Sequence, residues 1–366
     1  MSKNITVMGS GNTGLSTALK LKNDGHNVCL FELPEFSEST SKMKENLSLS
    51  LLSEKISLRL DLITNDANQA AEYSKIIILC VPAYAHNSYA KILSGKVTNQ
   101  HTVVLMPGTL GSLELKSYFL HNNSEIPIIG ETDTSPLVCR KTGDSEAVIL
   151  GEVPNLGIGI MPKSKTAETI KVLSDFFTGL VPYEDVLECG LSSLNPVMHP
   201  AGVILNAGRI EKSEGEFFFY NEGITESVSG VIESVDQERR KIGDFFGYKL
   251  DKVADSFHKA GFGQKGTLIE TISSSDMLTS LKAPGVINHR WLTEDISYGI
   301  YTWSAIGEKF EINTHTMKTL IEMGSILLKK DLKKTGRKLK DLGIGVSTSV
   351  GTVSYTHLTL PTNREV

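Results

Sequence analysis

The sequence predicts an α/β N-terminal half built on a doubly wound, mostly parallel sheet, followed by an all-α C-terminal half. Three observations predict it. Short apolar runs alternate with helix-length segments over the first 130 residues, a glycine loop joins the first run to the first helix, and beyond Pro182 long helical patterns take over. The chain has 366 residues, enough for roughly two domains that each bury a core. Hydrophobic residues make up 40% and charged residues 22%, as in a folded globular protein. A net charge of −5 supplies no cationic field for nucleic acid or an anionic membrane. Cys29, Cys80, Cys139 and Cys189 lie far apart with no CxxC pair, so neither a zinc site nor a disulfide framework is expected. The first residues lack a signal peptide's apolar stretch, and the longest apolar run, Ile76 to Pro82, is far short of a membrane span; the cytoplasm is the expected compartment.

The elements follow in order. Ile5 to Met8 reads as a strand, Gly9, Gly11 and Gly14 as a turn, Leu15, Ala18, Leu19 and Leu21 as a helix, and Val28 to Phe31 as the next strand. In that context GxGxxG is a dinucleotide fingerprint. Gly9 permits the tight turn, Gly11 lets the backbone approach a pyrophosphate, Gly14 allows close helix packing, and Asn12 opens the helix whose free N–H groups face the phosphates. Glu32, at the end of the second strand, is placed to accept hydrogen bonds from ribose hydroxyls; no Lys or Arg occurs from Leu33 to Ser41, so NAD is expected rather than NADP. Ile76 to Val81, Val103 to Met106 and Ile126 to Ile129 continue the sheet. The loops after two of them, around Pro82 and Gly108, should border the cofactor, with His86 read as a helix cap. Ala147 to Leu150 and Gly157 to Ile160 are expected to close the sheet in an antiparallel manner. After a boundary near Pro182, helices are expected over Ala201 to Ile210, Thr225 to Phe246 and His315 to Leu332, with the basic stretch Lys329 to Lys340 as a solvated last helix.

Three segments carry candidate chemistry. In LNPVMHPAGVILNAGRIE (194–211) a helix capped by Asn195 would place Asn195, His199 and Asn206 near one face; alternatively the helix starts at Pro200, since an internal proline costs ~3 kcal/mol. Either way His199 stands at a helix N-terminus. In NHRWLTEDISYG (288–299) the fork of Arg290 suits a carboxylate, and Asp295 is of the type that holds an imidazole in one tautomer. GETDTSPLVCR (130–140) follows a sheet strand and brings hydroxyls and acids near the expected nicotinamide site.

Together with the fingerprint and VPAYAH (81–86), these motifs make the chain resemble the opine dehydrogenase family of octopine/nopaline type, up to about Leu342. The resemblance implies a Rossmann domain (1–182) joined to a helical substrate domain (183–345), with the active site between them. It implies an NAD(P)-dependent oxidoreductase of CH–NH bonds that reductively condenses an amino acid with an α-keto acid such as pyruvate. By motif, His199 would be the acid/base, Asp295 its partner and Arg290 the clamp for the keto-acid carboxylate, with Thr132, Cys139 and Asn206 as further substrate contacts. A homodimer is the assembly allowed for. A ketopantoate- or hydroxy-acid-type dehydrogenase on the same plan, and a nucleotide sensor without catalysis, are the alternatives. The tail 353–366, VSYTHLTLPTNREV, resembles the translation of a sequencing-adapter read-through and is expected to be non-native.

Overall fold

The computed structural model describes residues 2–46 and 49–344; the tail 353–366 lies outside them. Its strands are β1 (Asn4–Met8), β2 (Asn27–Phe31), β3 (Leu49–Leu51), β4 (Ile56–Leu58), β5 (Leu62–Thr64), β6 (Ile76–Leu79), β7 (Thr102–Leu105), β8 (Ile128–Thr132), β9 (Leu137–Gly143), β10 (Glu146–Glu152), β11 (Leu156–Met161) and β12 (Leu180–Pro182). Helices of the sheet half are α1 (Asn12–Asn23), α2 (Ser37–Asn46), α3 (Ala67–Tyr73), α4 (His86–Leu93), α5 (Gly111–His121), α6 (Thr166–Leu173) and α7 (Val186–Leu191). The rest follow as α8 (Asn195–Leu205), α9 (Ala207–Ser213), α10 (Glu226–Phe245), α11 (Val253–Lys259), α12 (Leu268–Ser273), α13 (Asp276–Thr279), α14 (Arg290–Glu294), α15 (Tyr301–Lys309), α16 (His315–Leu328) and α17 (Leu332–Thr335).

The main sheet runs β12-β11-β8-β7-β6-β1-β2-β5, parallel from β8 through β5. Strand order reverses between β1 and β6, the switch point at which doubly wound sheets open a crevice for ligands. Both faces are covered, which is why β1, β6 and β7 are mostly apolar in the sequence. One apolar cluster fills the face with Phe31, Leu79 and Leu105 and continues into Val197, Ile232 and Trp303 of the helical half, so the halves share a core. The other cluster packs Leu15 and Leu19 of α1 against the sheet.

Three expectations are corrected. Only β11 joins the main sheet, antiparallel to β8. Ala147 to Leu150 lies instead in β10 of a second sheet, β4-β3-β10-β9, that packs on α1. With Ala147 buried and Leu150 more than half exposed, β10 has one dry face, which suits a covering sheet and not the interior of a two-sided one. Second, α8 starts at Asn195 with Pro196 in its first turn, and Pro200 lies inside it; the helix does not start at Pro200, and Leu194 rather than Asn195 is the flanking residue. Packing of a wholly buried segment, Pro196 through Ile204, overrides the local cost of one missing hydrogen bond. Third, α16 stops at Leu328, where Lys329 turns left-handed, and the basic stretch is a strap of short turns rather than a solvated helix. Its Arg337 is 2% exposed.

Candidate active site

The glycine loop is built as its spacing requires. Gly9 adopts φ +100°, and a Cβ there would sit 2.6 Å from the Cys80 carbonyl oxygen, while a Cβ on Gly14 would overlap the Gly9 carbonyl. A Cβ on Gly11 would meet nothing within 4 Å, so the loop is open on that side. Gly11 flanks α1 without a side-chain cap, leaving the first N–H groups of the helix directed at that opening. An open edge at a helix N-terminus fits a dinucleotide pyrophosphate; once bound, such a cofactor supplies or accepts a hydride at its nicotinamide.

The Glu32 carboxylate is engaged by the protein itself. One of its oxygens accepts from Ser10 N (2.7 Å) and Ser10 Oγ (2.8 Å), the other from Leu33 N (2.8 Å) and Tyr89 Oη (2.6 Å), so the carboxylate braces the loop from below. Burial and the adjacent Glu32 push the Tyr89 phenol up, which keeps it a donor. Asn12 Oδ1 accepts from Lys141 N at 3.0 Å, and Lys141 Nζ donates to Ser10 O at 3.2 Å, bringing β9 over the loop. Pro82 starts the turn 83–85 after β6, and Gly108 packs against Glu131 with its N–H on Thr132 O. Both therefore border the crevice through backbone placement.

The histidine and the aspartate meet. His199, one turn into α8, sits with Nδ1 2.7 Å from Asp295 Oδ2, the first residue of a π-helical segment, Asp295–Ile300. The carboxylate accepts from Nδ1–H, which leaves Nε2 as the working nitrogen, 3.2 Å from the Tyr220 hydroxyl. Trp291 stacks on the imidazole at 4.3 Å and 8°, fixing the ring plane. Burial pushes the Tyr220 phenol up, and the Asp295 charge adds to it. His289 caps α14, its Nδ1 accepting from Trp291 N at 3.3 Å; burial, then Arg290 and His199, lower its pKa, which suits a neutral acceptor.

Arg290 is half exposed, with Nε 3.3 Å from Glu294 Oε2, and its charge reaches Cys139. Cys139 lies with Sγ 3.5 Å from Asn12 O, at the start of α1. Burial raises its thiol pKa. Thr132 is fully buried and donates its hydroxyl to Thr134 O at 2.7 Å. Asn206 spends its amide on Gly202 O and Gly223 O, both at 2.9 Å, tying the end of α8 to the segment Phe219–Gly223. Both are turned to backbone because they sit where chain ends need partners. His86 is no cap: its Nδ1 faces Arg337 Nη2 at 3.1 Å. Tyr220, Trp291, Glu294 and Lys141 enter the site without having been assigned roles from sequence. Trp291 and Glu294 lie in the segment 288–299 already singled out, and the aromatic run Phe217 to Tyr220 offered a signal for Tyr220.

A family model described as NAD/NADP octopine/nopaline dehydrogenase, alpha-helical domain, matches residues 182–328, and one described as NAD-dependent glycerol-3-phosphate dehydrogenase N-terminus matches residues 4–116. The chain is 28% identical over 357 residues to an opine dehydrogenase of Arthrobacter sp. (strain 1C), covering 96% of this chain and 98% of that one. Over its helical half the chain thus matches the helical domain of octopine/nopaline dehydrogenases, and over nearly its whole length it is similar to an opine dehydrogenase. Two solved structures share its fold. An octopine dehydrogenase in complex with NADH and agmatine superposes with a TM-score of 0.76 at 18% identity, covering 94% of this chain and 96% of that one. A yersinopine dehydrogenase with NADP+ bound gives 0.73 at 12% identity, covering 93% and 95%. Among the described residues no helix is long and apolar enough to cross a membrane, and no cluster of His, Cys, Asp and Glu could hold a metal ion.

Proposed function

We propose that the chain is an NADH-dependent opine dehydrogenase acting on CH–NH bonds in the cytoplasm, with residues 1–182 holding the cofactor and residues 183–345 the acid/base pair. The reaction joins an amino acid, an α-keto acid such as pyruvate, NADH and a proton into an N-(carboxyalkyl)amino acid, NAD+ and water. The observation that carries the reading is the His199 to Asp295 contact at 2.7 Å, beside the crevice at the sheet's switch point. Asp295 stabilises the imidazolium, so His199 Nε2 can give a proton to the oxygen that leaves as water when amine and ketone condense. In the oxidative direction the same nitrogen takes a proton from the secondary amine. Trp291 covers one face of the imidazole, and the Tyr220 hydroxyl stands at Nε2. Every residue used comes from one chain, so a homodimer is compatible with the reading and not required by it.

The test is NADH consumption by purified protein with pyruvate and a panel of amino acids. Consumption only when both organic substrates are present is the expected result. Consumption with keto acid alone would put the chain with hydroxy-acid dehydrogenases, and NADH binding without turnover on any pair would make it a sensor.

Arg290 is assigned to the keto-acid carboxylate. Its electrostatic reach to Cys139, beside the first turn of α1, favours a second role on the pyrophosphate. Arg290→Ala separates the two: a clamp raises the pyruvate KM at unchanged NADH affinity, whereas a pyrophosphate contact raises the NADH Kd. The preference for NADH rests on the Glu32 charge under the loop, which repels a 2′-phosphate even though its oxygens are engaged with Ser10, Leu33 and Tyr89.

A further inference from the structure

We propose that Arg337 is a positioning residue: it locks the turn that carries Asp295 to the two loops bordering the nicotinamide side of the crevice. The inference rests on the functional reading above. Arg337 Nε donates to Glu114 Oε2 at 2.7 Å in the first turn of α5, Nη1 donates to Thr109 O in the loop after β7, and Nη2 faces His86 Nδ1 at 3.1 Å at the start of α4, after β6. The ring of His86 lies against Gly111, where a Cβ would collide with it. One guanidinium therefore ties together the loops that follow β6 and β7.

The other end of the residue grips the catalytic turn. Arg337 N donates to Ser297 O at 3.1 Å, two residues after Asp295, and Ser297 Oγ donates to Leu332 O at 3.0 Å. A Cβ on Gly336 would come within 2.6 Å of Ser297 O, so only glycine lets the strap lie this close. Tyr298 of the same turn sits under the guanidinium, 5.3 Å from the ring centroid. Glu294, the residue before Asp295, adds a parallel tie by accepting from Ala83 N at 2.8 Å.

Stability alone does not call for this arrangement. A buried ion pair gives back much of its attraction in desolvation, and apolar residues of like volume hold domains together as well. What a forked cation adds is direction, with three donor atoms aimed at Glu114, Thr109 and His86 on the two segments that follow β7 and β6. The strap thus sets where His199 and Asp295 stand relative to the hydride-transfer site, while touching neither the loop 9–14 nor Glu32.

The experiment compares Arg337→Met, Arg337→Lys and Glu114→Gln with the unmodified chain. Fluorescence titration should show one NADH per chain with Kd within about threefold in all of them. The kcat should fall about 10- to 100-fold in Arg337→Met with a smaller change in pyruvate KM. Arg337→Lys should recover Tm without recovering kcat, because an ammonium can pair with Glu114 but cannot fork. Amide exchange across 295–300 should rise at least tenfold in both Arg337 variants. If Arg337→Met does not fold, Glu114→Gln, which removes the charge facing the guanidinium and leaves only a weaker neutral acceptor, carries the kinetic comparison, with kcat expected to fall at least about threefold. Normal kcat in Arg337→Lys and Glu114→Gln, or unchanged exchange across 295–300, overturns the proposal. Absence of turnover in the unmodified chain would defeat the functional reading instead, and the exchange measurement would still decide this one.

Discussion

Replacing Asp295 by Asn isolates what the carboxylate does for His199. The amide keeps an acceptor for Nδ1–H and nearly the same volume, so the 2.7 Å contact can persist. What disappears is the charge facing the imidazolium. His199 and Asp295 side chains are only 7% and 14% exposed, so solvent screens the pair weakly. At an effective dielectric of about 20, opposite charges about 4 Å apart attract by roughly 4 kcal/mol. Part of this is already offset by desolvation, and the neutral hydrogen bond that remains is worth about 1 kcal/mol. A net loss of up to about 3 kcal/mol in the protonated state translates to a drop in kcat of roughly 10- to 100-fold, at about 1.4 kcal/mol per tenfold. Steady-state kinetics in both directions, with NADH affinity as control, measures it. A loss smaller than about fivefold would refute the assignment and leave the pair a structural contact.

Three further outcomes follow from the geometry. Tyr220→Phe removes one buried hydrogen bond to His199 Nε2, worth about 0.5 to 1.5 kcal/mol, so kcat should fall about threefold to tenfold; a loss beyond a hundredfold would mean that the phenol itself relays the proton. Glu32→Gln should lower the NADH over NADPH ratio of kcat/KM by about tenfold, and an unmodified chain that prefers NADPH contradicts the reading of this charge. Asp133, whose Oδ1 is buried without a partner while Oδ2 accepts from Tyr183, has its pKa pushed up from 3.8 to about 7 by burial. A raised acid contributes stability that is complete below its unfolded value near 4 and is lost as pH rises through 7. Asp133→Asn should therefore be more stable than the unmodified chain at pH 8 by up to roughly 4 kcal/mol, with no gain at pH 4, as read by Tm across that range.

How much of this was legible in the sequence depended on how locally each feature is encoded. β1, β2, β6 and β7 showed because burial on both faces writes mostly apolar runs, and the glycine loop showed because two backbone constraints, at Gly9 and Gly14, fall within six residues. β3, β4 and β5 have three residues each and left no pattern to read. β10 looked like a closing strand because the strand that joins its hairpin with β9 into a second sheet, Ser50–Leu51 in β3, lies almost a hundred residues earlier. His199, Arg290 and Asp295 could be picked out through motif resemblance, yet their pairing geometry depends on a proline inside α8 that local propensity argues against.

The sharpest contrast is between Glu32 and Arg337. Glu32 occupies the position the fingerprint specifies, and its charge is where the fingerprint needs it, but its four hydrogen bonds go to Ser10, Leu33 and Tyr89. A motif thus locates a charge without saying which atoms satisfy it. Arg337 sits in a run of lysines whose average character is that of a solvated surface, and its partners lie 223 to 251 residues upstream. Sequence averaging treats such a run as one feature, whereas folding spends its members differently: the lysines stay in water, and the one residue with a planar fork is driven into the junction that needs several donors at fixed angles. In a two-domain enzyme whose acid and hydride site come from different halves, that junction is where a single buried cation has the largest leverage on geometry, so a lone arginine within a lysine-rich C-terminal strap is a signal worth testing in its own right.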